Sequence, residues 1–169
     1  SLVPAILSRT RKAAFQALLH RCSGQDDIRV GVPIANRNRA ETEGLIGFFV
    51  NTQVLRAQLH GELSFSDLLL QVKQRALGAQ AHQDLPFEQL VDALQPERNM
   101  SHNPLFQVVY NHISAAPVSA VAASGQIQGL AVEAIEWHNQ TAQFDLALNT
   151  YESEQSLSAS FIYAADLFD

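Results

Sequence analysis

The spacing of hydrophobic and polar residues changes several times along the chain, between a helical period and a strand-like one. Helical spacing predicts helices near residues 13–22, 64–80 and 86–94. Alternation and short apolar runs predict six strands, near residues 28–35, 46–58, 105–113, 129–137, 143–151 and 157–163. Strands and helices in this order predict an α/β fold, an α+β sandwich in which a mixed sheet packs against helices.

The predicted helices carry recognisable start and stop signals. In the first helix, one apolar stripe is predicted to contain Phe15, Leu18, Leu19 and Cys22. Gly24 follows as a helix-ending residue, whereas residues 8–12 before the stripe are polar. Ser64 and Asp67 resemble a capping box ahead of the second helix, and Pro86 and Pro96 bracket the third.

The stretch from Gly31 to Arg56 carries polar residues where a purely structural strand carries aliphatic ones. One predicted face holds Phe49, Asn51, Gln53 and Leu55, and the other holds Phe48, Val50, Thr52 and Val54. Since both faces contain large apolar side chains, the strand is predicted to be buried on both sides. A buried amide needs hydrogen-bond partners, so Asn51 is either a satisfied structural amide or part of a site. The residues alone favour the structural interpretation.

Two further polar groups are candidates for chemistry. Arg37 and Arg39 alternate with asparagines, so they suit a phosphate or carboxylate. The favoured interpretation is that they pair with Glu41 and Glu43 and brace the turn, because such surface pairs are common. His82 and Asp84 resemble an acid–base pair, but their spacing does not bring them face to face on a helix. A polar turn between two helices is the favoured interpretation.

Composition narrows the function classes. The net charge is −6 without a basic stripe, which disfavours nucleic acid as a partner. The single cysteine, Cys22, excludes an internal disulfide and fits a reducing, cytoplasmic compartment. No apolar run has the length of a membrane span. The six histidines are scattered singly, which predicts no metal site, and no nucleophile elbow or phosphate-binding loop is present.

Four stretches resemble the condensation domain of non-ribosomal peptide synthetases, specifically its C-terminal half. They are residues 30–39 (VGVPIANRNR), 45–56 (LIGFFVNTQVLR), 82–90 (HQDLPFEQL) and 97–107 (ERNMSHNPLFQ). They occur in the order and at the spacing of that family. We therefore interpret residues 13–169 as a C-terminal lobe truncated at both ends, and residues 1–12 as an atypical start or junction.

The resemblance implies a chloramphenicol acetyltransferase-like lobe that forms one wall of a tunnel. In the whole domain, acyl or peptidyl and aminoacyl thioesters arrive on the 4′-phosphopantetheine arms of carrier proteins and are joined by a peptide bond. The resemblance implies that this lobe binds no cofactor of its own. Phe48, Phe49 and Asn51 are predicted to line the substrate tunnel, since such a tunnel must hold two substrates and exclude water.

The family's His-His-x-x-x-Asp-Gly motif belongs to the other half of the domain, and no adjacent histidine pair exists here. We therefore predict no catalytic residue in this chain and no peptide-bond formation by it alone. Predicted partners are the N-terminal lobe, carrier proteins and an adjoining adenylation domain, with self-association of the fragment as a further expectation. Two alternatives stay open, namely a lobe of an epimerization domain and a non-catalytic carrier-docking or scaffold module.

Overall fold

The structure is a computed structural model that describes residues 2–37, 39–96, 102–114, 141–152 and 156–168. The chain divides into two compact units, Ser1–Tyr110 and Asn111–Asp169. In chain order the elements are α1 (Leu2–Ser23), β1 (Asp27–Ile34), α2 (Ala40–Glu43), β2 (Asn51–Gln58), α3 (Phe65–Ala81), α4 (Phe87–Leu94), β3 (Val108–Ser114), β4 (Leu146–Glu152), β5 (Leu157–Tyr163) and a 3-10 helix (Ala165–Leu167).

The strands form one mixed sheet. Neighbouring strands hydrogen-bond in the order β2-β1-β3-β4-β5. β1 is antiparallel to β2 and parallel to β3, and β4 is antiparallel to β5. The predicted α/β class with a mixed sheet is therefore confirmed.

The core of the first unit lies between the sheet and two helices. α1 packs on β1 and α3, and α3 packs on β2. Buried apolar side chains from these elements include Ala13, Phe15, Val30, Leu55, Leu68 and Val72. The amide of Gln16 is also buried, and it donates a hydrogen bond to the Leu55 carbonyl at 3.2 Å, so its burial leaves no polar group unsatisfied.

Helix α1 differs from its prediction in length and in its buried face. It begins at Leu2 rather than near residue 13, because arginine and lysine in residues 8–12 are good helix formers and do not interrupt it. The predicted apolar stripe is wrong at Leu18 and Cys22, which are exposed. Ala13 and Gln16 are buried instead. The face of α1 that packs against the sheet is the one on which Gln16 bonds to β2.

Strand β2 begins at Asn51, so the prediction of a strand from residue 46 is wrong for residues 46–50. Carbonyls of Leu45 and Gly47 bind a guanidinium group rather than a neighbouring strand, which takes this backbone out of the sheet. Burial on both faces is also wrong, because Leu55 is buried whereas Arg56 is exposed. β2 is the last strand on its side of the sheet, and helices cover one of its faces.

Strand β3 begins at Val108 rather than at residue 105. The side-chain oxygen of Asn103 accepts hydrogen bonds from the N–H groups of Leu105 and Phe106, at 3.2 and 3.4 Å. These N–H groups therefore bond locally and do not join the sheet. Leu105 and Phe106 are buried, whereas Ile113, farther along the strand, is 40% exposed.

The remaining predicted elements agree with the structure to within a few residues. α3 begins after Ser64, whose hydroxyl accepts the Asp67 N–H at 3.1 Å. α4 and the β4–β5 hairpin lie where the pattern predicted them. The strand predicted at residues 129–137 lies outside the described residues, as do residues 153–155 between the last two predicted strands.

Candidate functional site

The Asn51 side chain joins β2 to the turn between α3 and α4. Its amide nitrogen donates to the carbonyls of Gln83 at 3.0 Å and Leu85 at 2.8 Å. Its amide oxygen accepts the N–H groups of Phe87 at 3.1 Å and of its neighbour Thr52 at 2.9 Å. Both amide hydrogens are therefore used, and the oxygen accepts two bonds.

This arrangement also caps helix α4. The residue at the N-cap position is Pro86, which provides no side-chain hydrogen bond to the helix. Asn51 supplies the missing acceptor from a neighbouring strand, because its oxygen accepts the N–H of the first helical residue, Phe87. One strand amide thus fixes where α4 begins.

A second amide on the same face of β2 holds the end of α3. Gln53 donates to the Ala79 carbonyl at 2.7 Å, in the last turn of that helix. That carbonyl also accepts the N–H of His82, the residue after the helix, so Gln53 adds a second donor at the end of α3. Asn51 and Gln53 thus bind backbone groups at the ends of two helices, the start of α4 and the end of α3.

The first residue of α4, Phe87, is half-buried and contacts a buried aromatic ring. The Phe87 ring lies 5.6 Å from the Phe106 ring in an edge-to-face arrangement at 63°. Phe106 is 2% exposed, and its ring lies so close to Gly31 that a Cβ atom there would be 2.4 Å from it. Only glycine permits this contact. We call Gly31, Asn51, Phe87 and Phe106 the junction cluster.

The loop before β2, residues 42–49, is fixed by Arg37. The guanidinium group donates to the carbonyls of Thr42 at 2.6 Å, Leu45 at 2.7 Å and Gly47 at 3.1 Å. It also lies 4.4 Å from the centre of the Phe49 ring, a cation–π distance. The favoured prediction, that Arg37 braces the turn, agrees with the structure, but the partners described for its guanidinium group are backbone carbonyls and not the predicted glutamates.

The three predicted tunnel residues have different surroundings. Phe48 is 89% exposed at the end of the braced loop, next to the fully exposed Ile46. Phe49 is half-buried under Arg37, and Asn51 is half-buried in the junction cluster. The structure thus presents Phe48 as an outward-facing apolar side chain on a fixed backbone, and the tunnel role of the three residues stays a prediction.

The His82–Asp84 segment is a turn between α3 and α4, as predicted. These two residues line an open groove of about 580 Å³ together with Ala81, Leu85, Pro86 and Gln89. Asn51 binds one carbonyl inside this turn, that of Gln83, and one directly after it, that of Leu85. Its conformation therefore depends on β2.

The second unit contains a polar cluster that the sequence reasoning missed. His112 Nδ1 lies 3.0 Å from the Thr150 hydroxyl, and its Nε2 lies 3.5 Å from a Glu152 carboxylate oxygen. The Thr150 hydroxyl, although buried, donates to the Asn111 carbonyl at 3.3 Å. The alternation of Thr150 and Glu152 on one strand face was the available signal.

Neither a metal site nor a membrane-spanning helix is found in the described part of the chain. No group of three or more histidine, cysteine, aspartate or glutamate side chains there is placed to hold a metal ion. None of its helices combines the length and the apolar character needed to cross a membrane.

Comparison with known proteins identifies the family. The condensation domain family model matches residues 9–169. One of the linear gramicidin synthase proteins of Brevibacillus parabrevis is 51% identical over 165 residues, which cover 96% of this chain and 3% of that protein. Malpinin synthetase of Mortierella alpina is 42% identical over 163 residues, covering 96% of this chain and 2% of that protein. The chain belongs to the condensation domain family.

A solved structure agrees with the fold. The structure of holo-AB3403, a four-domain nonribosomal peptide synthetase bound to AMP and glycine, superimposes with a TM-score of 0.83 at 22% identity. The match covers 95% of this chain and 13% of that one. The chain thus spans a few per cent of the curated synthetases named above, and it has the fold found in part of a larger synthetase.

Proposed function

We propose that this chain is the C-terminal lobe of a condensation domain that joins carrier-bound acyl or peptidyl and aminoacyl thioesters by a peptide bond. One observation carries the proposal. The four stretches behind the resemblance meet in the junction cluster, with Gly31 from the first, Asn51 from the second, Phe87 from the third and Phe106 from the fourth. A chance resemblance in four short motifs gives no reason for them to touch.

The proposed role of this lobe is to position substrates and exclude water. Arg37 holds the loop backbone on which Phe48 lies exposed. An apolar wall of this kind suits acyl and pantetheine chains that meet in a tunnel. In this proposal Phe48 and Phe49 supply the apolar wall, and Asn51 holds the wall to the α3–α4 turn.

The proposal assigns no proton-transfer step to this chain. The base that serves the attacking amine comes from the N-terminal lobe, which carries the His-His motif in this family. The substrates arrive on 4′-phosphopantetheine arms of carrier proteins, with an adenylation domain adjoining. The amine then attacks the thioester carbonyl, the new amide bond forms, and the donor thiol leaves.

The test combines the chain with a separately expressed N-terminal half and two loaded carrier proteins. Dipeptidyl thioester is followed by mass spectrometry. We expect product only when both halves are present, because loss of a positioned base alone costs about 10²–10⁴-fold in rate. Product from the chain alone would overturn the half-enzyme proposal and redirect attention to His82, His102, His112 and His138 as bases.

The same reaction separates the two alternatives. In deuterated water, an epimerization lobe would exchange the α-proton of a carrier-bound aminoacyl thioester without joining two substrates. A docking module would bind carriers but yield neither product nor exchange. The chain has Gly-Phe-Phe-Val-Asn-Thr at residues 47–52, whereas epimerization domains resemble Gly-Trp-Phe-Thr there, so we expect condensation.

A further inference from the structure

Strand β5 is an edge strand without the usual protection of such strands. Among the described strands it is the last on its side of the sheet, next to β4. All seven residues of Leu157–Tyr163 are exposed, so neither face of the strand is buried. The strand contains no charged residue, no proline and no glycine. Edge strands of soluble proteins are usually protected by lysine, proline or a covering helix, and β5 shows none of these in the described structure.

At the opposite edge of the sheet, strand β2 is protected by a side chain. The Leu59 N–H donates to the Asp26 carbonyl at 2.8 Å, so the next residue back, Gln58, points its own main-chain groups away from β1. Gln71 of α3 binds both of these groups. The Gln58 N–H donates to the Gln71 side-chain oxygen at 2.7 Å, and the Gln71 amide donates to the Gln58 carbonyl at 3.1 Å. A helix thus covers this end of the β2 edge.

Alternate residues of β5 point their main-chain groups away from β4. The Ala164 N–H donates to the Asp145 carbonyl at 3.0 Å, so the residue pairs that exchange hydrogen bonds between β4 and β5 recur at every second position from there. The intervening positions, whose N–H and C=O groups point outward, are Leu157, Ala159, Phe161 and Tyr163. Within the described residues, nothing binds the outward groups of Leu157, Ala159 or Tyr163. These groups are available to another strand.

We propose that β5 pairs with β5 of a second copy of this chain, antiparallel about a two-fold axis, so that two sheets join into one. The register that uses every outward group is centred on Ser160. It places Leu157 opposite Tyr163 of the second copy, and Ala159 opposite its Phe161. Because each pair is uncharged and sets a smaller side chain against an aromatic one, the edge is complementary to itself, which favours a second copy as the occupant. The inference does not depend on the function proposed for the lobe, and it gives the expected self-association a location.

The first test is the oligomeric state of the chain, measured by sedimentation velocity from micromolar to millimolar concentration. We expect a dimer. Ser160→Lys would set two ammonium groups opposite each other on the axis, so it should raise the Kd of the dimer at least about tenfold. Gln74→Lys makes the same change of charge at an exposed position on α3 and should leave the Kd unchanged. A monomer at every concentration, or a dimer that Ser160→Lys does not weaken, would overturn the proposal.

The second test measures the register without a change of charge. In a Cys22→Ser background, Ser160→Cys sets two thiols opposite each other in a non-hydrogen-bonded pair, where the Cα atoms lie about 4.5 Å apart, within reach of a disulfide. Ser158→Cys is the matched control, since the two copies of that position would lie four residues, or about 13 Å, apart along the strands. Under mild oxidation Ser160→Cys should cross-link at least about tenfold faster. Equal rates, or faster cross-linking of Ser158→Cys, would overturn this pairing.

Discussion

At the scale of single residues, two polar side chains of the first unit have opposite surroundings. Asn51 makes four hydrogen bonds to backbone groups, so its partial burial costs little. Lys12 lies against apolar side chains with a cation as its charged neighbour. The two residues therefore make opposite contributions to stability. Removing Asn51 leaves partners unsatisfied, whereas removing the Lys12 charge relieves a cost.

Asn51→Ala is expected to destabilise the first unit by about 1–3 kcal/mol, because two carbonyls and a helix N–H lose their partner. The measurement is urea unfolding followed by the helical circular dichroism signal. That signal suits the purpose, since the described α-helices all belong to the first unit. Gln74→Ala, an exposed amide on α3, is the control and should have little effect.

The same variant separates the two interpretations of Asn51. If its role is to line the tunnel without supporting the fold, Asn51→Ala would lower product formation in the two-half assay while stability stays unchanged. A loss of stability together with a loss of activity would show that the amide acts by holding the α3–α4 turn. Wild-type stability in Asn51→Ala would contradict the prediction.

At the scale of elements, periodicity predicted the bounds of helices and strands that depend on neighbouring residues. It failed where a side chain distant in sequence determines where a strand begins. β5 was predicted at its observed residues, and α3 to within a residue at each end, because their patterns and cap are local. The early start of β2 at residue 46 was wrong because Arg37 takes up the loop carbonyls. The spacing of residues 46–50 contains no signal for the guanidinium group of Arg37, which lies nine or more positions upstream.

The site could be predicted in part for the same reason. The residues of the junction cluster were all within stretches that the resemblance singled out, and the need of Asn51 for partners followed from its amide. Its particular partners depend on how α3 and α4 fold back onto β2, which a sequence pattern does not contain. The contact between Gly31 and Phe106 joins residues 75 positions apart in the numbering, and was missed likewise.

The packing of β1 against residue 106 gives a prediction with a matched pair of glycines. Gly31→Ala should destabilise the first unit by about 1–3 kcal/mol, because its Cβ would overlap the Phe106 ring. Gly78→Ala should instead stabilise it by about 0.5–1 kcal/mol, since Gly78 is inside α3 and its Cβ would meet no atom within 4 Å. Urea unfolding of both variants gives the two values. Equal effects of the two substitutions would contradict the close packing at Gly31.

At the scale of the whole molecule, stability depends on pH through groups whose pKa differs between the folded and unfolded chain. The Asp27 carboxylate accepts hydrogen bonds from Arg56 at 2.6 Å and from Arg29 at 3.0 Å, and the Arg56 bond is the largest cause that lowers its pKa below 3.8. Its contribution is therefore present above pH 3.8 and is lost as the pH falls through the folded value. Since the pair is exposed, this contribution is small.

Lys12 affects the alkaline part of the pH profile and gives the last prediction. Its pKa is lowered in the folded chain, first by desolvation and then by Arg9, so the unfolded chain binds more protons at pH values between the folded pKa and 10.5. Stability must therefore rise with pH across that window, because the partly desolvated ammonium of the folded chain loses its proton before that of the unfolded chain. Lys12→Met removes the charge and keeps an unbranched apolar side chain in the same place. It should be more stable than wild type near neutral pH, and the difference should shrink toward about pH 10.

Urea unfolding of both proteins at several pH values, with Lys73→Met as the control, measures this convergence. Parallel pH profiles for wild type and Lys12→Met would mean that the Lys12 amine is solvated in the folded chain.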